Sequence, residues 1–451
     1  MRELRTTHDL LDRFREGASL DGVLLSGLDL SGVDLSGIAL PRAKITRCDL
    51  TSAQLEGANL AGAIFVETSL RGARMRGARL AGARLGGADL DGALLDRADL
   101  SFTDLTGAQL RAASLADAIL RGATLSQAVL DRAILPRADL RGASLDGASA
   151  KQATLTGADL RDLGPGAPDL SGADLSRVDL TGSTLAGARL VGADLSGARC
   201  AGCDLTGADL SEAVLYDVDL TGAALKGARL RDASLPGLTL DGCDLSGADL
   251  TGADLDGVDL RKARLTSVVL ERCSLRRSRA SGVRLAGCFM KDADFMEADL
   301  ERACLDECDV RQVSFARARM KGATLRKVQG QAADFSTADL TEADLRGSDL
   351  ATAQLYGALA RKARFDLCRL ARAILEGADL RGATFVAADL RYALLDRAQL
   401  DLADLSGCDL ESASLHRISD TGCRLSGANL KNVRRTDAAR ARAEDFEPGR
   451  E

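Results

Sequence analysis

The sequence predicts an all-β solenoid: a four-sided parallel β-helix of about 20 coils, opened by a short capping helix. Three observations carry this. The first is a period of five. After Leu170 the chain reads SGADL SRVDL TGSTL AGARL VGADL SGARC AGCDL TGADL and continues so to Leu260. Five is too far from 3.6 for one face of an amphipathic helix and does not fit the alternation of a flat strand. The second is register. Calling the large apolar residue of each five the centre, every centre falls on a multiple of five from Leu20 to Leu430, or (430 − 20)/5 + 1 = 83 units. Leu fills 65 of them, and Ile45, Phe65, Met75 and Val310 are typical exceptions. Two places before each centre stands a small residue, usually Ala, so one bulky and one small side chain fill a narrow interior.

The third is turn chemistry. Of 46 Gly, 40 lie two places after a centre, and Pro41, Pro136 and Pro236 lie one place after. Pro followed by a residue of positive φ is the requirement of a type II turn. A turn every five residues makes a polygon, and four sides close in twenty. Phe295, Phe315 and Phe335 are spaced by twenty, as are Phe365 and Phe385, and are expected to stack.

Taken in order, residues 1–17 break the rule. Leu10, Leu11 and Phe14 have helical spacing and Gly17 is a stop signal, so a helix is expected to cap the first coil, with His8 solvated. Residues 18–160 form a first repeat segment. In residues 161–170, RDLGPGAPDL puts Pro165 at a centre, as either distorted sides or an expelled loop. Residues 171–430 form the second segment. Ala280, Gly330, Ala360 and Asp420 are centres without a bulky side chain, where dents or bulges are expected; a buried Asp420 would need a partner such as Arg417, and the alternative is that the last coils are loose. The charged tail, residues 431–451, is read as a helix from Thr436 to Phe446 covering the last coil, or as disorder.

Units such as Ala173-Asp174-Leu175-Ser176-Arg177 resemble the A(D/N)LXX pattern of the pentapeptide-repeat family, over about nine tenths of the chain. The resemblance implies a right-handed quadrilateral β-helix. At about 4.8 Å per coil the rod would be on the order of 100 Å long.

Composition excludes several function classes. Aromatics are 3 %, Trp is absent and net charge is −7. No run of 18 apolar residues occurs, and Met1-Arg2-Glu3-Leu4-Arg5 is not the apolar start of a secretory leader, so a cytoplasmic location is expected. Of 11 Cys, Cys48, Cys203, Cys243, Cys273, Cys288, Cys308, Cys368, Cys408 and Cys423 take the small inward position and Cys200 a centre, as core filler. The CAGC spacing of Cys200 and Cys203 straddles two sides, which disfavours zinc. His8 and His416 are the only histidines, no phosphate-binding GxxxxGK occurs, and the Asp before each centre reads as a turn builder. No catalytic, cofactor or metal residues are assigned, and no enzyme activity is expected.

What remains is recognition along the outer walls. Residues 161–260 hold 17 acidic and 7 basic residues, whereas residues 261–330 hold 16 basic and 9 acidic. Within the latter, Arg261, Lys262, Arg264, Arg272, Arg276, Arg277, Arg279 and Arg284 form a basic band, followed by an acidic one from Asp292 to Asp309. The bands either pair across the ladder or meet a partner. Tyr216, Phe289, Tyr356 and Tyr392 point outward and are candidate anchors.

The first functional reading is a rigid scaffold or adaptor for a protein partner. The opening LLDRFREGASLDGVLLSGLDLSGVDLSG resembles the start of pentapeptide-repeat segments in proteins associated with bacterial type VI secretion. The alternatives are a DNA-mimicking protein that protects or inhibits gyrase or another topoisomerase, as the quinolone-resistance relatives do, and a secreted effector. A mimic of duplex DNA about 100 Å long would approach −60, far from the −7 observed. Direct nucleic-acid or membrane binding is not expected.

Overall fold

The computed structural model describes residues 3–445, and the chain divides into two compact units, Met1–Ser234 and Leu235–Glu451. In each unit the backbone advances one coil every twenty residues. The centre donates forward and its predecessor donates back: Leu30 N–H bonds Asp49 O at 2.7 Å and Asp49 N–H bonds Leu28 O at 2.9 Å. The result is a parallel ladder, Asp29 to Asp49 to Ser69 to Asp89 in the first unit and Asp294 to Ser314 to Asp334 to Gln354 in the second. Most faces are one bridge wide. Among the described residues only β1 (Glu3–Leu4), β2 (Leu24–Ser26), β3 (Lys44–Thr46) and β4 (Ile64–Val66) extend into a sheet, in that order and all parallel.

Corners close by β-turns, such as Ala53 N–H to Leu50 O at 3.0 Å. The second turn residue has positive φ whether or not it is glycine: Gly22 +65°, Arg42 +55°, Phe102 +56° and Leu402 +61°. The stack fixes the corner, and an L-residue there accepts a cost of about 1–2 kcal/mol. This explains why glycine prevails without being obligatory.

Inside, centre and small residue are both sealed from water; Leu125, Ala128, Leu345 and Ala343 are 0 % exposed. Ring centroids of Phe295 and Phe315 lie 5.5 Å apart, Phe315 and Phe335 5.1 Å, and Phe365 and Phe385 4.8 Å. These distances are those of successive coils.

The first coil is covered by α1 (Thr7–Arg15), whose N-cap Thr6 accepts from Asp9 N–H and whose Leu10 is fully buried. Ahead of the helix, β1 pairs with β2, a strand that the five-residue register does not predict. His8 is exposed and pairs with Asp12 at 3.1 Å.

Residues 161–170 stay in the coil. Pro165 turns outward, and Leu163 is 4 % exposed, filling the interior in its place. Gly164 N–H bonds Ala143 O at 3.1 Å, and the Ser149–Asp169 bridge resumes the ladder. Gly166 lies so close to Asp146 that a Cβ would sit 2.6 Å from its Cα.

Three expectations are corrected. Asp420 is exposed, not buried, and Arg417 reaches Glu444 and Asp445 instead. Ala280, Gly330 and Ala360 make no bulge, since each donates to the next coil at 2.8 Å. At Gly330 the vacant volume is taken by Leu350 and Val310, whose methyl carbons lie 2.9 and 3.2 Å from where a Cβ would be. Third, α2 (Ala438–Glu444) does not cover the last coil: Leu430 remains 37 % exposed and α2 buries no residue. The helix lies along a corner, with Glu444 on Arg397 and Arg417, and Arg440 on Asp396. Phe446, the expected helix end, lies outside the described residues.

Candidate protein-interaction surface

The acidic residues before the centres are committed to the corners. Ser176 N–H donates to Asp174 Oδ1 at 2.9 Å and its hydroxyl to the same oxygen at 2.6 Å. Where Arg replaces Ser two residues on, the guanidinium adds its own bonds, as in Asp159–Arg161 and Asp379–Arg381. The Arg381 guanidinium, with Arg361, holds the Asp379 carboxyl down to about 2. Carboxylates with such partners have no capacity left for proton transfer near neutrality.

The basic band is mostly paired. Arg261 binds Asp259 at 2.6 Å and keeps that carboxyl below its ordinary range; Arg279 reaches the same Asp at 3.8 Å. Lys262 pairs with Asp241, Arg264 with Asp244 and Arg276 with Asp294. Arg272, Arg277 and Arg284 are exposed and make no ion pair among the described residues. With five residues to a side, these three cations leave from different sides of the coil. They form no single patch.

Tyr216, in the first unit, is 49 % exposed and accepts from Ser234 Oγ at 3.2 Å. In the second unit Phe289, Tyr356 and Tyr392 are 51–55 % exposed, and Arg372 lies over the Tyr392 ring at 5.8 Å. The structure brings together two pairs of the named residues: Arg261 and Arg279 converge on Asp259, and, since Leu270 N–H bonds Phe289 O and Arg272 N–H bonds Lys291 O, Arg272 and Phe289 adjoin one edge on successive coils.

Sequence reading missed Phe102, Leu367 and Leu402, exposed by 71, 66 and 74 %. All three stand at the corner position where glycine is the rule, with φ of +56 to +61°. That departure was a usable signal, because a bulky residue there is both strained and solvated.

Among the described residues no group of three or more His, Cys, Asp and Glu is placed to hold a metal, and no helix is long and apolar enough to cross a membrane. The thiols are buried except for Cys304 and Cys423, which are part-exposed; Cys304, which faces outward just before a centre, was not among those expected inside.

A tight-walled repeat with a filled interior and corner-bound carboxylates defines a parallel β-helical solenoid. The comparisons agree: the family described as pentapeptide repeats matches residues 48–162, 168–266 and 348–419 in overlapping segments, and a pentapeptide repeat region matches 278–355. The chain belongs to the pentapeptide-repeat family, whose members form right-handed quadrilateral β-helices.

Similar solved structures include HetL, a pentapeptide repeat protein involved in heterocyst differentiation regulation from the cyanobacterium Nostoc. It is 28 % identical over 58 % of this chain and 96 % of its own, with a TM-score of 0.22. A pentapeptide repeat protein of the Arabidopsis thaliana thylakoid lumen is 30 % identical over 26 % of this chain and 73 % of its own, with a TM-score of 0.15. QnrB1, a plasmid-mediated fluoroquinolone resistance protein, is 21 % identical over 46 % of this chain and 91 % of its own, with a TM-score of 0.22. At these TM-scores none of the likenesses informs function. No curated protein matches the chain.

Proposed function

We propose that this protein is a non-enzymatic scaffold or adaptor that binds a protein partner through its outer walls. One observation carries the reading. The interior is filled by side chains at or near 0 % exposure, and the wall carboxylates are engaged by turn N–H groups and neighbouring cations, so nothing but the outer surface is free to act. A rigid surface loses little conformational entropy on binding, which favours recognition. The likeness of residues 10–37 to segments associated with type VI secretion supports a partner from such a system, met in the cytoplasm.

The gyrase-protecting reading has less support. Duplex DNA carries about three charges per 4.8 Å coil, whereas −7 over 451 residues is well under one per coil.

The test is affinity purification of the full chain from its native host with cross-link mapping by mass spectrometry. A partner cross-linked to outward residues, and lost on Arg272→Glu/Arg277→Glu/Arg284→Glu, supports a role for the free cations. Cross-links unaffected by that variant retire those three residues, and inhibition of gyrase supercoiling at sub-micromolar protein displaces the adaptor reading.

A further inference from the structure

The tail helix α2 is held to the wall of the second unit by polar contacts. At Thr436 the chain leaves the ladder: Arg397 N–H donates to His416 O at 2.7 Å, but one coil on, Arg417 N–H donates to the Thr436 hydroxyl at 3.0 Å. From there α2 runs over the corner of Asp396, Arg397, His416 and Arg417. Arg440 reaches Asp396 at 3.0 Å, Glu444 reaches Arg397 at 2.7 Å and Arg417 at 3.3 Å, and Asp445 accepts from Arg417 at 2.6 Å.

His416 lies beneath, its side chain 3 % exposed. Its Nδ1 accepts from Asp437 N–H at 3.2 Å, which leaves the ring proton on Nε2, 3.4 Å from Glu444 Oε2. Two guanidinium groups and an imidazole of the wall thus converge on one carboxylate, whose side chain is 19 % exposed. Arg397 foremost, with Arg440 and His416, lowers that carboxyl from 4.5 to about 2.

The wall itself leaves this cradle unfilled. Other cations of the unit pair with a wall carboxylate one coil away, as Arg317 does with Glu297, Arg369 with Asp349 and Arg424 with Asp404. Among the described residues every ion pair of Arg397 and Arg417 is to the tail. The tail is also loosely fastened. It buries no residue, and a hollow of ≈ 430 Å³ remains beside His416, lined by Ser414, Arg434, Arg435, Asp437 and Arg440. Seven residues are too few to hold a helix without tertiary support, and exposed ion pairs contribute little and are screened by salt. A helix with the same charges and more contact surface can take its place.

The wall sets what that helix must carry. Asp396 and Arg397 are consecutive, so an opposing arginine and glutamate must stand close together. A helix achieves this with residues four apart, about 6 Å along its axis, as Arg440 and Glu444 are; an extended chain puts residues four apart about 13 Å away.

We propose that the corner formed by Asp396, Arg397, His416 and Arg417 is a docking site for a helix of a partner protein that presents an arginine and, four residues on, a glutamate, and that α2 occupies it in cis until that helix displaces it. The proposal deepens the scaffold reading and rests on it.

The test is displacement on the wild-type full chain, read by hydrogen exchange. The amides of Ala441 and Asp445, which donate to Asp437 O and Ala441 O, report the docked helix. A large excess of a capped peptide with the sequence of residues 436–445 is expected to speed their exchange by about tenfold, and a peptide with its Arg440 and Glu444 equivalents exchanged should leave it unchanged. By fluorescence anisotropy the full-chain variant Glu444→Gln/Asp445→Asn should bind the labelled peptide about tenfold more tightly than the wild type, and adding Arg397→Gln/Arg417→Gln should abolish that gain. No acceleration, equal acceleration by both peptides, or a tail variant that binds no better than the wild type overturns the proposal. So does concentration-dependent self-association of the tail variant in light scattering, which would assign the site to a second copy. Should Arg397→Gln/Arg417→Gln fail to fold, the exchange measurement and the tail variant decide. If a folded Arg397→Gln/Arg417→Gln chain still captures the native partner, this site falls and the scaffold reading stands.

Discussion

Phe365 and Phe385 stack with their ring centroids 4.8 Å apart and their planes 8° from parallel. Twenty residues separate them in sequence, and that interval is one circuit of the backbone. Each ring occupies a centre that Leu fills elsewhere, so the pair marks both the coil length and the packing of the interior.

The longer ladder gives the first prediction. Phe315 lies between Phe295 and Phe335 with no exposed surface. Phe315→Ala should cost about 3–5 kcal/mol, read from urea unfolding followed by circular dichroism. A double-mutant cycle on Phe365 and Phe385 should return a coupling of about 0.5–1.5 kcal/mol. A loss below 1 kcal/mol for Phe315→Ala would mean that the rings are not buried in one stack.

Glycines divide into two kinds. Gly107 has φ of +65° and open space around it, whereas a Cβ at Gly166 would meet the Asp146 backbone. Gly107→Ala should cost about 1 kcal/mol from backbone strain alone. Gly166→Ala should cost about 1–3 kcal/mol more, since the chain must shift to admit the methyl. Thermal melts of the two variants compare them directly, and equal losses would contradict the in-register path of residues 161–170.

Buried wall carboxylates set the acid limb of stability. Asp379 is 5 % exposed, and Arg381 and Arg361 lower its carboxyl from 3.8 to about 2. Its folded value is depressed, so its contribution is complete above about pH 4 and disappears as pH falls through about 2. Asp379→Asn should therefore lose about 2 kcal/mol at neutral pH, and the gap from wild type should close between pH 4 and 2. A gap that stays constant with pH would show that the ion pairs are not responsible.

Thiol reactivity tests the interior independently. Burial pushes Cys308, Cys368 and Cys408 up to about 12, and Cys423 to about 11. At pH 8 Cys304 should react promptly with an aromatic disulfide reagent, Cys423 slowly and the remaining nine after unfolding. Rapid reaction of several more thiols would contradict the sealed core.

Legibility followed the strength of each constraint. The coil and its interior were readable because a five-residue register admits one packing, and Leu and Ala at fixed offsets leave nothing else to vary. The small centres were read too locally: at Gly330 the sequence shows a missing side chain, but the neighbours that close the gap lie twenty residues away on either side. Asp420 was placed inside because register was extended to the end of the repeat, where no further coil among the described residues enforces it. The surface was least legible. Eight basic residues clustered in sequence form no patch, because the chain turns a corner every five residues, whereas Arg397 and Glu444, 47 residues apart, meet at one corner.

The central claim is that residues twenty apart are neighbours and residues ten apart lie across the coil, which leaves the outer walls as the working surface. Pyrene attached to Ser176→Cys/Ser196→Cys and to Ser176→Cys/Ala186→Cys measures this in solution. Strong excimer emission from the first pair with monomer emission from the second is the predicted result; excimer emission from the second pair, or none from the first, would contradict it.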